Sequence, residues 1–169
     1  LMFVAVLAHQ CAAQVILFGG NNPRLKIGEK LGAADTFNYH QLTDLPSVVR
    51  NLTDGLGADV VIEATGMPAV WESAIAIARP GATINLFGGC ERDTTITVST
   101  EQLHYNALTL KGVFHNTPTY VRAALALLAS RTIPFEYLIS DHRPLKDLEQ
   151  VFQDMKQRQV IKVAIELGN

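Results

Sequence analysis

Cysteine is scarce in this chain of 169 residues: Cys11 and Cys90 stand alone, with no paired spacing and no neighbouring histidine set. That excludes a disulfide framework and a zinc knuckle, and fits a reducing, cytoplasmic setting. Charge of either sign is also in short supply. Lys and Arg number 14 against 16 Asp and Glu, a formal net charge of −2, so no basic face is on offer to nucleic acid. Long apolar runs are missing as well. The opening LMFVAVLAHQCAAQVILF is interrupted by His9, Gln10 and Gln14 and has no basic segment before it, which argues against a membrane span or a secretion signal. No internal repeat or low-complexity tract is visible. The most telling absence is a glycine-rich phosphate loop, because an apolar strand that usually follows one is present.

That strand is GADVVIEATG at positions 57 to 66, which ends on small residues where a parallel sheet opens its ligand crevice. Around it the composition, 48% hydrophobic, and the length suit one globular domain, with room for a piece of another. Leu1 to Ala13 reads as a buried helix and QVILF at 14 to 18 as a strand closed by Gly19 and Gly20. A short helix begins near Pro23, carries Leu25, Ile27 and Leu31, and ends at Gly32, before the strand-like DTFNY at 35 to 39. Leu45, Val48, Val49 and Leu52 fall at helical spacing. ADVVIEA runs without alternation, as expected of a strand covered on both faces. Val70, Ala74, Ile75 and Ile77 carry the next helix, which Pro80 and Gly81 end, and ATINLFGG at 82 to 89 is a further buried strand. This alternation predicts an α/β fold with a doubly wound parallel sheet. Beyond Cys90 the expected elements are strands TTITV (94–98), LTLKGVF (108–114) and VIKVAI (160–165), with amphipathic helices over 120–130 and 145–156.

Taken in order, KLGAADTFNY, LTDGLGADVVIEATG, ARPGATINLFGG, LTLKGVF and IKVAI resemble the nucleotide-binding half of the zinc-dependent medium-chain alcohol and polyol dehydrogenases, sorbitol dehydrogenase among them. Five segments in the right order are far more specific than any one. The resemblance implies a Rossmann-type doubly wound sheet lacking its first strand, with residues 1–117 as the dinucleotide-binding domain, incomplete at its N-terminus. Residues 118–169 would return to a catalytic domain. The family's glycine turn would lie just upstream of Leu1, taking the pyrophosphate site with it. In the order 3-2-1-4-5-6 that strand is central, so its loss would unpair about ten backbone groups at roughly 1 to 3 kcal/mol each, unless neighbouring elements close the gap.

The same resemblance implies which residues meet the cofactor, NADP or NAD. Gly19 aligns with the family's ribose-binding carboxylate, and no carboxylate follows until Glu29. With Asn21, Asn22 and Arg24 beyond it, this turn has room for a 2′-phosphate, a charge-assisted contact contributing roughly 1.5 to 3 kcal/mol. Alternatively, Arg24 simply starts a helix at a solvated turn. Ala64, Thr65 and Gly66 align with the adenine and ribose edge, against a plain strand-to-helix turn. Phe87 and Gly88 close the next strand on the nicotinamide side, and Val113, Phe114 and His115 match the segment whose backbone holds the nicotinamide amide. His115 either reaches substrate or is structural; Lys162 either faces the cofactor phosphates or is a surface lysine. Glu63 is expected to be a structural carboxylate. His104, Tyr105, His142 and Trp71 are expected to pack or lie at the surface.

No catalytic residue and no zinc ligand can be assigned in this chain; the zinc that polarises the alcohol oxygen in this family is held by the other domain. The implied activity is hydride transfer between a small-molecule secondary alcohol or polyol and nicotinamide, by the full-length protein rather than by this fragment. A zinc-independent quinone-type reductase of the same superfamily and a non-catalytic dinucleotide-binding or structural module are the rivals. A homo-oligomer joined through edge strands near 94–114 is expected, with neither nucleic acid nor membrane as partner.

Overall fold

The computed structural model describes residues 1–10 and 14–168. Cys11 and the end of the first predicted helix lie outside the described residues. Two compact units emerge, one built from Leu1–Leu42 together with Thr117–Asn169, the other from Thr43–Asn116.

The first unit opens with helix α1 (Met2–Gln10) and strand β1 (Ile16–Gly19), then helix α2 (Asn22–Lys30) and strand β2 (Asp35–Asn38). The sequence sets the start of α2 through two local devices. Asn21 caps it, its side-chain oxygen accepting the Arg24 N–H at 3.0 Å, and Pro23 occupies the first turn, where its missing N–H costs nothing. β1 and β2 pair in parallel from Ile16 with Asp35 to Gly19 with Asn38. The unit continues with helix α6 (Pro118–Ser130), strand β6 (Ile139–Pro144), helix α7 (Leu148–Lys156) and strand β7 (Lys162–Glu166), and β6 and β7 form a second parallel pair. Val4, Ala5, Val15, Leu31, Ile133 and Leu138 form its core.

The second unit holds helix α3 (Leu45–Leu52), strand β3 (Ala58–Glu63), helix α4 (Pro68–Ala76), strand β4 (Ala78–Leu86), helix α5 (Thr100–Tyr105) and strand β5 (Thr109–Gly112). Its sheet runs β3-β4-β5, all parallel. Val61, Ile84 and Leu86 point to the same side as Ala74 and Ile75 of α4, and with Ala82 and Leu108 they make the core.

Every described strand pairing is parallel, as the alternation predicts, but the strands form three separate sheets of two, three and two. Among the described residues β1 pairs only with β2, and β3 only with β4.

Four local expectations are corrected. ADVVIEA is buried on one face only: Val61 is 8% exposed and its neighbour Val60 57%, because α4 packs on a single side of the strand. Pro80 and Gly81 do not end the preceding helix. α4 stops at Ala76, and the two residues sit inside β4, where the register with β3 jumps from Ala58–Ala78 to Val60–Thr83. TTITV is not a strand. Thr97 donates its N–H at 2.9 Å to the Glu72 carboxylate, a side-chain partner in place of a ladder, while Ile96 and Val98 pack on the core. The predicted helix 145–156 starts as a 3-10 turn over Leu145–Asp147 and becomes α-helical only from Leu148. β6, with the polar sequence ISDHRP, carries no apolar pattern by which to anticipate it.

Candidate dinucleotide site

β1, β3 and β4 run into glycine-containing turns at Gly19–Gly20, Gly66 and Gly88–Gly89, and the implied cofactor residues lie at or after strand carboxyl ends except Lys162, at the start of β7. Gly19 closes β1. Gly20 follows it against the Tyr39–His40 ring pair: a Cβ there would stand 2.7 Å from the Tyr39 hydroxyl and 2.9 Å from His40 Nε2. Neither ring is signalled by the sequence, because only the pairing of β1 with β2 brings residues 20 and 39 together. The neighbouring turn is tied by Asn38 Nδ2, which donates to Asn22 Oδ1 at 2.7 Å.

Arg24 is half-buried, and its Nη2 donates to the Val160 carbonyl at 2.9 Å. Its Nε is buried without a hydrogen-bond partner among the described residues. The side chain therefore joins α2 to the segment before β7, a contact across 136 residues of sequence. Glu29 accepts the Thr36 hydroxyl at 2.7 Å, so the carboxylate nearest after Gly19 in sequence is engaged along α2 and β2. Lys162 is exposed at the start of β7, and its carbonyl accepts the Ser140 hydroxyl at 3.1 Å.

In the second unit the turns after β3 and β4 interlock. Glu63 ends β3 with 2% exposure, and its Oε1 accepts the Thr65 N–H and the Thr65 hydroxyl, each at 2.5 Å. Gly66 N–H lies 3.3 Å from both carboxylate oxygens. The Glu63 carbonyl accepts the N–H groups of Phe87 and Gly88 at 2.9 and 3.0 Å. Glycine is needed at both contact points. A Cβ on Gly88 would stand 2.7 Å from Glu63 Oε2 and 2.8 Å from Thr65 N, and closer still to Gly66 N. Gly66 has φ +74°, and a Cβ on it would strike the Gly89 carbonyl. Trp71, expected to pack or lie at the surface, donates its indole N–H to the Gly88 carbonyl at 3.1 Å. Thr65, Gly66 and Gly88 thus form one cluster, with Ala64 and Phe87 exposed beside it.

Val113, Phe114 and His115 follow β5. Phe114 is exposed, its ring centroid 3.7 Å from that of His115, and His115 has φ +67°, a backbone region that costs a non-glycine residue energy. Among the described residues no group of three or more His, Cys, Asp or Glu side chains is arranged to hold a metal ion. The described residues therefore offer no donor set that fits zinc. No described helix is long and apolar enough to cross a membrane.

Parallel strands alternating with helices, with close-packed glycine turns after β3 and β4, place the chain in the α/β class. Comparison with known proteins narrows the class. The family model described as "Zinc-binding dehydrogenase" matches residues 1–130, and the chain belongs to that family. L-threonine 3-dehydrogenase of Bacillus subtilis is 30% identical over 166 residues, 98% of this chain and 47% of that protein. D-arabitol-phosphate dehydrogenase of Enterococcus avium is 30% identical over 168 residues, again 98% of this chain and 47% of the relative. Among solved structures, alcohol dehydrogenase TADH from Thermus sp. ATN1 superposes with a TM-score of 0.89 at 25% identity, covering 98% of this chain and 48% of that one. The chain spans about half the length of the curated relatives it matches. The family resemblance carried by the five ordered segments is borne out.

Proposed function

We propose that this chain is the cofactor-binding half of a zinc-dependent NAD(P) oxidoreductase, which moves a hydride between a secondary alcohol or polyol and nicotinamide. The observation that carries it is the interlock of the Thr65–Gly66 and Gly88 turns at the carboxyl ends of β3 and β4, where added side chains would collide with backbone. Such a surface lets a flat, extended ligand lie against the main chain. The relatives' printed names, which include threonine, arabitol-phosphate and alcohol dehydrogenases, support the same chemistry. Residues 1–117 are proposed as the dinucleotide-binding domain and 118–169 as the segment returning toward a catalytic domain.

Gly19, Asn21 and Arg24 are assigned to the adenosine side, and Ala64, Thr65 and Gly66 to the adenine and ribose edge. Phe87, Gly88, Val113, Phe114 and His115 are assigned to the nicotinamide side, and Lys162 to the phosphates. The absence of a carboxylate at Gly19, with Glu29 engaged by Thr36, favours NADP over NAD. The Arg24 Nε is buried and its Nη2 is committed to Val160, so a 2′-phosphate would have to draw the side chain away from that contact.

Zinc is assigned to residues beyond those described, where it would polarise the alcohol oxygen. Self-association is proposed through the outer edge of β5, which has no strand partner among the described residues. With only two cysteines in the sequence, a reducing cytoplasmic setting is retained as the location. The test is an assay of the intact protein on a panel of polyols and secondary alcohols, with competing titrations of NADH and NADPH. Activity that survives complete zinc removal overturns the enzyme class, and a strong NADH preference overturns the assignment at Gly19.

A further inference from the structure

A carboxylate buried at a ligand-facing turn is costly unless something uses its charge. Glu63 is the buried charged side chain among the described residues, and none of the described ion pairs includes it. Its charge is instead shared among donors of the turn that follows it: the Thr65 N–H and hydroxyl at 2.5 Å and the Gly66 N–H at 3.3 Å. The consequence for a ligand is specific. Two N–H groups of the turn are directed at Glu63. The Thr65 hydroxyl has also spent its proton there, while its oxygen receives the Met67 N–H at 3.3 Å. The Thr65 and Gly66 N–H groups and the Thr65 hydroxyl proton are thus committed to Glu63 and not offered to a phosphate. Glu63 also governs the facing turn, since its carbonyl holds Phe87 and Gly88, and its Oε2 occupies the space that a Cβ at residue 88 would need.

We propose that Glu63 is a positioning residue for the dinucleotide: its carboxylate sets the depth of the Thr65–Gly66 turn against Gly88 and takes up the Thr65 and Gly66 donors of that turn. It acts through Thr65 and Gly66 rather than by touching the ligand. The inference rests on the cofactor assignment of the preceding subsection. Glutamine is a discriminating replacement. It keeps the volume and one oxygen for Thr65, but places an amide donor where Oε2 stood, facing the Gly66 N–H.

The experiment uses the intact protein as wild type, Glu63→Gln, Glu63→Asp, Thr65→Val and the double variant Glu63→Gln/Thr65→Val. NADH and NADPH binding is followed by fluorescence, with kcat, both KM values and melting temperature. Glu63→Gln is expected to raise the dinucleotide Kd and KM about tenfold, the loss of one hydrogen bond to a charged group, while the alcohol KM and kcat move less than about threefold. Glu63→Asp, whose carboxylate falls one methylene short of Thr65, does not restore binding. The double variant falls short of the product of the two single effects, because both substitutions loosen the same Thr65–Gly66 turn. Folded Glu63→Gln with wild-type dinucleotide affinity overturns the proposal, as does strict multiplication of the two single effects. Should Glu63→Gln fail to fold, Thr65→Val decides: a Kd raised about threefold supports the proposal and an unchanged Kd overturns it. Wild-type protein that binds neither NADH nor NADPH overturns the cofactor assignment instead.

Discussion

Replacing Gly88 by alanine probes the interlocked turns most directly. The new Cβ would stand 2.7 Å from Glu63 Oε2 and 2.8 Å from Thr65 N, with Gly66 N nearer than either. Two of those three neighbours are main chain, so the strain cannot be relieved by turning a flexible side chain. Overpacking of this kind costs about 1 to 3 kcal/mol. Displacing the carboxylate also weakens its bonds to Thr65 and Gly66, each contributing roughly 1.5 to 3 kcal/mol. A net loss of about 3 kcal/mol is expected, which for a domain of this size lowers the melting temperature by about 6 to 12 °C. Gly89→Ala and Gly112→Ala are the controls, since a Cβ at either position meets nothing within 4 Å. Both should stay within about 0.5 kcal/mol of wild type. The assay is thermal and urea unfolding of the intact protein, with dinucleotide binding followed in parallel. If Gly88→Ala melts within about 2 °C of Gly112→Ala, the two turns do not interlock and the reasoning is wrong.

Burial on one face of β3 and β4 predicts unequal costs. Ile84→Ala, at a position with 0% exposure, should lose about 2 to 5 kcal/mol in urea unfolding, and Val60→Ala, at 57% exposure, less than about 1; equal losses would contradict one-sided packing. The Arg143 side chain, bonded to Asp141 at 2.6 Å, and then the His142 N–H hold the Asp141 carboxyl below the usual carboxylate range. A depressed folded-state value means stabilisation that is complete above the unfolded value and lost as pH falls through the folded one. Wild type should therefore exceed Asp141→Asn at neutral pH, and the gap in melting temperature should close below about pH 4; a gap constant with pH would refute this. Burial, followed by the nearby Glu63 charge, pushes the Cys90 thiol up. In a Cys11→Ser background, iodoacetamide should react slowly at neutral pH and faster in Glu63→Gln at the same pH. Equal rates in the two proteins would show that the Glu63 charge does not reach the thiol.

Elements whose pattern is local were legible in the chain itself. The spacing of Leu45, Val48, Val49 and Leu52 marks α3, and the apolar run over Ala58–Glu63 marks β3. The Asn21–Pro23 start of α2 is also written locally, because caps and first-turn prolines act within three or four residues. The order of five such segments was enough for the family. Where one signal served two structures, the pattern misled. Pro80 and Gly81 mark a break, and only pairing with β3 decides that the break lies inside a strand rather than at the end of a helix. TTITV has strand alternation but takes a Glu72 side chain in place of a neighbouring strand. ISDHRP has no strand pattern, yet it pairs along β7.

At the candidate site the same division holds. The sequence alone determined that glycines and small residues follow each apolar strand, that no carboxylate follows β1 before Glu29, and that the chain is of the dehydrogenase type. Those properties belong to residue identity and order. Tertiary structure decided that Gly20 faces Tyr39 and His40, that Arg24 is tied to Val160, and that Glu63 gathers Thr65 and Gly66 against Gly88. Each of these contacts depends on strand register or on chain segments far apart in sequence. Periodicity reports which face of an element is apolar, but it carries no information about which distant backbone that face will meet.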